Sequence, residues 1–307
     1  MKIGIDMMGG DFAPAEALQG IQQYLDEGKA QLVMIGDEVQ LTSLLSTRSL
    51  SRDRYTVVHA PEVIGMHEHP TKALKEKRQS SIAVGFHLLA TEKIDAFISA
   101  GNTGAMLVGS LYALKPLEGI LRPTISTIIP KTNGATGLLL DVGLNSDCKP
   151  EQLVQFAQMG SVYAQTILGI ENPRVALLNI GEEEGKGNLL AQATYPLLKE
   201  NSTLNFVGNI EGRDILLDKT DITVCDGFTG NVILKLAESL YEIAAQKGSQ
   251  NDYFNRFNFE EYGGTPVLGI SKPVIIGHGI SKGRAFKNMI LLAQKMIYTG
   301  VMQKMRV

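Results

Sequence analysis

Apolar residues fall along this chain in short runs that stop at Gly, Asp or Asn and give way to stretches of helical period. Lys2–Ile5 is the first such run and closes at Asp6. Gln31–Ile35, Tyr55–His59, Ala96–Ser99, Thr124–Ile129, Gly137–Asp141, Val175–Ile180, Leu204–Val207, Ile222–Cys225 and Val274–Ile276 repeat it. Each reads as a short strand. Between them, Leu18, Ile21 and Leu25 share one helical face, and Ile82–Ala90 and Met106–Leu114 are apolar helices. Lys149-Pro150-Glu151 opens a helix that runs through Met159 and Tyr163. A final helix from Arg284 to Lys304 carries Phe286, Ile290, Ala293 and Ile297 on its buried stripe. The strand–helix–strand rhythm predicts an α/β fold with a parallel sheet and right-handed crossovers. The 307 residues suit one α/β domain over 1–307, or two lobes sharing one sheet.

The strand exits concentrate the polar and glycine residues. In Val224–Leu236 a buried strand ends, Asp226, Gly227, Thr229 and Gly230 turn the chain, and a helix opens. Thr229 or Asn231 is the expected N-cap. Gly227 and Gly230 would let a ligand approach the main chain. The first helical N–H groups and the macrodipole would favour an anion, phosphate above all. Gly101-Asn102-Thr103-Gly104 has the same grammar. If both turns lie on one sheet edge, two helix N-termini could converge on one anion, at the carboxyl edge where open parallel sheets bind ligands.

Asp141-Val142-Gly143-Leu144-Asn145 is a third exit, and Gly9-Gly10-Asp11 follows the first strand, with Asp11 as expected N-cap and Pro14 in the first turn. Gly181–Asn188 contains Gly185-Lys186-Gly187, but the spacing and Gly187 break the P-loop pattern. Lys186 is nevertheless a flexible cation beside glycines at a strand end. Glu211 and Arg213 read as an ion pair rather than a substrate clamp. His278, between glycines at the last strand end, could face a ligand.

Composition narrows the partners. A net charge of −3 and a pI near 6.0 argue against nucleic acid. Cys148 and Cys225 make no disulfide framework, which points to a reducing cytosol, and neither has metal-ligand spacing. No apolar run approaches a membrane span, so membrane contact would be peripheral. His67 and His69 flank Glu68 without a third ligand, so no metal is expected. Lys72, Lys75 and Arg78, spaced by three, would share one helix face with Lys77 nearby. The cluster is a solvated face or a dock for an acidic partner.

Asp6-Met7-Met8-Gly9-Gly10-Asp11, Ser99-Ala100-Gly101-Asn102-Thr103-Gly104-Ala105, Asp141-Val142-Gly143-Leu144-Asn145, Gly185-Lys186-Gly187-Asn188, Asp226-Gly227-Phe228-Thr229-Gly230-Asn231 and His278-Gly279 occur in this order. Together they closely resemble the bacterial phosphate acyltransferases of phospholipid synthesis, over nearly the whole chain. The resemblance implies a transferase of lipid metabolism. It would move a fatty acyl group from acyl-carrier protein to inorganic phosphate without cofactor or metal. It implies a three-layer α/β/α fold like the isocitrate/isopropylmalate dehydrogenases and phosphotransacetylase. It also implies a cytoplasmic homodimer, peripheral at the membrane, with possible contact to a glycerol-phosphate acyltransferase. An acidic carrier protein would dock at Lys72, Lys75, Lys77 and Arg78.

Two features depart from the family pattern. Met7 stands where Ala is common, and only 25 residues, 237–261, lie where relatives often carry a longer helical hairpin linked to dimer and membrane contacts. The expected catalytic residues are Lys186, Asn231 and His278. Asp6, Gly9, Gly10, Asp11, Gly101, Asn102, Thr103, Gly104, Asp141, Asn145, Asn188, Asp226, Gly227, Thr229 and Gly230 would form the phosphate and substrate site. Phosphate is already a charged nucleophile, so positioning and electrostatics could suffice. A covalent route through Cys225 is the rival mechanism. A nucleotide-dependent dehydrogenase is the rival enzyme, though no G-x-G-x-x-G follows the first strand. A non-catalytic carrier-protein or membrane scaffold is the rival class.

Overall fold

A computed structural model describes residues 1–306. The strands are β1 (Lys2–Asp6), β2 (Gln31–Gly36), β3 (Tyr55–His59), β4 (Ala96–Ser99), β5 (Thr124–Pro130), β6 (Thr136–Leu140), β7 (Arg174–Leu178), β8 (Asn205–Ile210), β9 (Ile222–Val224), β10 (Thr265–Leu268) and β11 (Val274–Ile276). The class is three-layer α/β with mostly parallel strands. The chain forms two compact units: Met1–Pro116 with Glu260–Met302, and Leu117–Phe259 with the residues from Gln303 onward.

In the first unit the strand order is β3-β2-β1-β4-β11-β10. All neighbours run parallel except β10, which pairs antiparallel with β11. The sequence pattern does not anticipate β10, because Gly263-Gly264 and Pro266 break its apolar run. From β1 the chain builds outward through β2 and β3, then returns to the other side of β1 as β4. Strand order therefore reverses between β1 and β4, which leaves a crevice at their carboxyl ends. Ile3, Ile5, Leu32, Ile35, Phe97 and Ile98 are fully buried, as strands covered on both faces require.

The helices Ala15–Leu25 and Gly283–Thr299 pack together at Gly20, where any Cβ would strike the Phe286 Cβ and the Gly283 carbonyl. The first starts later than expected. Pro14 occupies its N-cap without a side-chain bond, and the Asp11 amide instead donates to the Gly279 carbonyl at 2.7 Å. Tyr24 takes the buried place expected of Leu25, because its hydroxyl reaches Gln294 and accepts from the Ala30 amide. The last helix stops at Gly300, left-handed at φ 61°, and Met296 rather than Ile297 is its buried residue there.

The basic segment differs from its expectation as well. A short helix covers Pro70–Glu76, so it holds Lys72 and Lys75 but not Lys77 or Arg78. The Lys77 ammonium lies 2.6 Å from the Glu68 carboxylate and also donates to the Val63 carbonyl. Lys72, Lys75 and Arg78 therefore do not share one helix face, and Lys77 is already paired.

In the second unit the order is β5-β6-β9-β7-β8. β5 and β6 are antiparallel, and the other neighbours are parallel. The chain builds outward from β7 to β8 and returns to the other side of β7 as β9. This second reversal opens a crevice at the carboxyl ends of β7 and β9. The helix Pro150–Tyr163 covers the sheet with Leu153, Phe156 and Ala157, and Gly160 sits against Leu140 and Ile222. After the helix Gly227–Gln246, Tyr253 stacks edge-on against Phe257 with ring centroids 5.4 Å apart, and Phe257 is buried. These aromatics pack on the protein. Among the described residues no helix is long and apolar enough to cross a membrane.

Lys131 is buried at 2% exposure, and its ammonium donates to the Ile215 carbonyl at 2.6 Å. Burial pushes its pKa down to about 8, against the pull of Asp221. The unfolded chain therefore holds a proton that the folded chain sheds between about pH 8 and the ordinary lysine value, so folding stability rises with pH across that window. Chemical denaturation across it should show wild type gaining on the order of 3 kcal/mol relative to Lys131→Met. Parallel curves for the two proteins would contradict this.

Candidate active site

In the first unit three strand exits meet over the β1/β4 crevice. The Asp6 carboxylate accepts from the Ser99 hydroxyl at 2.6 Å and from the Met8 amide at 2.9 Å. Burial raises its pKa, and these donors oppose the rise. Gly9 lies so close to Gly101 that a Cβ would fall 2.6 Å from the Gly101 nitrogen. Gly10, at φ 102°, takes a left-handed backbone beside the Gly279 carbonyl. The Gly277 amide donates to the Ser99 carbonyl at 2.8 Å, and His278 follows it, half-buried. Asp6, Gly9, Gly10, Asp11, Gly101 and His278 are thus neighbours.

Asn102 does something other than face a ligand. Its carbonyl oxygen caps the helix Thr103–Ala113 by accepting from the Ala105 amide. Its amide nitrogen donates to the carbonyls of Gly65, Met66 and Glu68. It is 4% exposed, so it clamps the loop before Pro70 to the helix start. The amides of Thr103 and Gly104 have no hydrogen-bond partner among the described residues, and they are what this turn offers an anion.

In the second unit the exits of β6, β7 and β9 adjoin one another. Asp141 organises the first. Its carboxylate accepts from the amides of Gly143 and Leu144 at 3.1 Å, and from the Asn145 amide and side chain at 2.7 Å. Burial raises its pKa despite those donors. Asn145 also donates to the Pro123 carbonyl, so the Asp141 carboxylate and the Asn145 amide nitrogen are both committed to the loop.

The β9 exit corrects the expected cap and the expected cradle. Asp226, not Thr229 or Asn231, caps the helix Gly227–Gln246: it accepts from the Thr229 amide at 2.9 Å and from the Thr229 hydroxyl at 2.8 Å. The Gly227 amide donates to the Asn145 carbonyl at 2.7 Å and the Gly230 amide to the Asp226 carbonyl at 3.0 Å. Three amides expected to hold phosphate are therefore committed, which leaves that of Phe228. The glycines serve the chain's own close approach. A Cβ on Gly227 would fall 2.7 Å from the Asn145 carbonyl oxygen, and one on Gly230 would overlap the Asp141 carbonyl. Ala is normally the better helix former. Here Gly230→Ala should destabilise by about 1–3 kcal/mol, read as a fall in melting temperature, while an unchanged melting point would deny the close contact.

The β7 exit is held by Asn179, whose side chain donates to the Lys186 carbonyl at 3.0 Å and accepts from the Ile180 amide. Asn188 caps the helix Leu189–Glu200 by accepting from the Ala191 amide, so its oxygen is also used. Lys186 lays its stem on Gly181, is exposed, and has no ion-pair partner among the described residues. Neighbouring cations and acids do pair: Lys199 with Glu184, Lys219 with Glu182, and Arg213 with Glu211. Asn231, exposed one turn into its helix, lies beside Gly143, and its side chain makes no hydrogen bond among the described residues. Among the polar side chains that the sequence nominates here, Lys186 and Asn231 keep their full polar ends available.

Cys225 lies 3% exposed, with its Sγ 3.7 Å from the Asp141 carbonyl oxygen. Burial raises its pKa well above the ordinary thiol value, and the charges of Asp226 and Asp141 add to the rise. A thiol kept protonated in this way is a poor nucleophile.

A family model described as "Fatty acid synthesis protein" matches residues 1–250 and 245–304. A curated phosphate acyltransferase from Dictyoglomus turgidum is 43% identical over 323 aligned residues, covering 99% of this chain and 96% of the relative. This chain belongs to the phosphate acyltransferase family. The break in the family match falls within 237–261, the segment that the sequence marks as short. Among solved structures, a phosphotransacetylase from Streptococcus pyogenes superposes with a TM-score of 0.69 at 17% identity, over 97% of this chain and 94% of that one. A 4-hydroxythreonine-4-phosphate dehydrogenase from Klebsiella pneumoniae gives 0.53 at 13% identity, over 96% and 99% of the two chains. This chain thus shares its fold with a phosphotransacetylase and with a dehydrogenase, in line with the dehydrogenase-like fold that the family resemblance implies.

Proposed function

We propose that this phosphate acyltransferase moves a fatty acyl group from acyl-carrier protein to inorganic phosphate, and that the β6, β7 and β9 exits hold the reacting groups. The observation that carries the reading is the availability of Lys186 and Asn231 amid side chains otherwise committed to loop architecture. Phosphate attacks the thioester carbonyl carbon, the carbonyl oxygen takes up negative charge, and the intermediate expels the carrier thiolate to leave acyl phosphate. Lys186 supplies positive charge to phosphate or to that oxygen, and Asn231 a directional hydrogen bond. Holding two reactants together supplies much of the remaining rate. The Gly101–Gly104 turn and His278 serve substrate binding in the first unit. The protonated, buried Cys225 favours direct attack over an acyl-enzyme.

The finer partners extend the same reading: carrier-protein docking at Lys72, Lys75 and Arg78, a second copy of the chain, a peripheral membrane position on the cytoplasmic side, and contact with a glycerol-phosphate acyltransferase. The test is consumption of acyl-carrier protein with and without phosphate. Acyl phosphate formed only when phosphate is present is the expected result. Tight carrier binding with no phosphate-dependent turnover would instead make the chain a scaffold. Charge reversal at Lys72 and Lys75 should raise the apparent KM for carrier protein more at low salt than at high salt, with kcat less affected. A salt-independent KM would remove the docking assignment.

A further inference from the structure

A cavity of about 410 Å³ opens at the β7/β9 reversal, within the size range of ligand pockets. Its walls are mostly apolar: Leu153, Leu177, Ile180, Leu190 and Ile233, with Cys225 among them. Its polar lining is ill suited to an anion. Asp226 presents a carboxylate, and the side-chain oxygen of Asn188 and the hydroxyl of Thr229 are committed to helix caps. At the rim Ile180 is 80% exposed, and the adjoining Leu189 is 86% exposed. Such apolar surface around a hollow is costly in water unless something apolar enters. The loop carrying Lys186 continues directly into Gly187 and Asn188, which line the same cavity.

We infer that this cavity is the slot for the alkyl chain of the acyl donor, with the thioester at the mouth near Lys186 and the methylenes running toward Leu153 and Cys225. The inference rests on the acyl-transfer reading above. It adds the binding site of the hydrocarbon, and it makes Ile233 and Leu190 determinants of chain length. Phosphate would stay outside, on the Lys186 side of the rim. Each methylene kept out of an apolar site loses a few-fold in binding, so a bulky wall should act only on long chains.

Ile233→Trp and Leu190→Trp should each lower kcat/KM for a sixteen-carbon donor about tenfold or more relative to a four-carbon donor, because a filled slot excludes several methylenes. An unchanged chain-length ratio, in variants that melt like wild type, would overturn the slot while leaving phosphate-dependent transfer intact. A second measurement needs neither turnover nor a variant. Decanoic acid should shift the methyl resonances of Leu153, Leu177 and Ile233 in wild type and leave that of Ile98 unaltered, as followed by methyl-selective NMR. Unshifted Leu153, Leu177 and Ile233 resonances at saturating fatty acid would also overturn the slot. A wild type that takes up decanoic acid there yet transfers nothing to phosphate would retain the slot and refute the acyl-transfer reading.

Discussion

Lys186→Ala should lower phosphate-dependent acyl transfer by about 100–1000-fold, the range typical of losing one group that stabilises developing charge. The basis is its isolation. Lys199, Lys219 and Arg213 nearby are each neutralised by a carboxylate, whereas the Lys186 ammonium meets none among the described residues. The backbone of the β9 turn offers little in its place, because the Gly227, Thr229 and Gly230 amides are already spent and only that of Phe228 is left. Lys186→Arg should recover part of the rate, since the charge returns with a different geometry. The melting temperature should stay near that of wild type, because an exposed stem carries little packing. Steady-state kinetics with near-normal kcat/KM for phosphate in a folded Lys186→Ala protein would remove this residue from the mechanism.

Asp141→Ala should be the most destabilising of the changes considered. The buried carboxylate collects three backbone amides and the Asn145 side chain, and both Asn145 donors are buried with it. Stranding buried donors costs about 1–3 kcal/mol each where no other partner is found. A loss of about 3 kcal/mol or more is expected, which lowers the melting temperature by roughly 5 °C or more in a chain of this size. Asp141→Asn keeps one acceptor oxygen and should lose less. Activity should fall with stability, because Asn145 receives the Gly227 amide and so fixes the start of the helix that carries Asn231. A variant that melts like wild type would show that other acceptors replace the carboxylate.

The parallel core was legible because each of its strands is a short apolar run ending in a polar glycine turn, the pattern that β1, β2, β4, β7 and β11 all share. β10 was not legible, since glycine and proline interrupt its pattern and only pairing with β11 completes it. The strand exits were legible as a set, but their internal roles were not. Asp226, Asp141, Asn145, Asn188 and Asn102 are short polar side chains that bond either a ligand or a neighbouring amide, and residue type does not distinguish the two. Their place in the fold does, and it makes these side chains caps and loop clamps. In sequence, Gly227 and Gly230 read as openings for a ligand, whereas the same missing Cβ admits the Asp141–Asn145 loop. Lys77 looked like part of a docking face because its carboxylate partner, Glu68, lies nine residues earlier, across a turn that helical spacing does not describe.

The central claim is that inorganic phosphate binds beside Lys186. Mild amine acetylation with mass-spectrometric mapping, in the presence and absence of saturating phosphate, measures this on the unaltered protein. Phosphate should slow modification of Lys186 and leave Lys72 and Lys75 unchanged. Equal modification of Lys186 in both conditions would contradict the account.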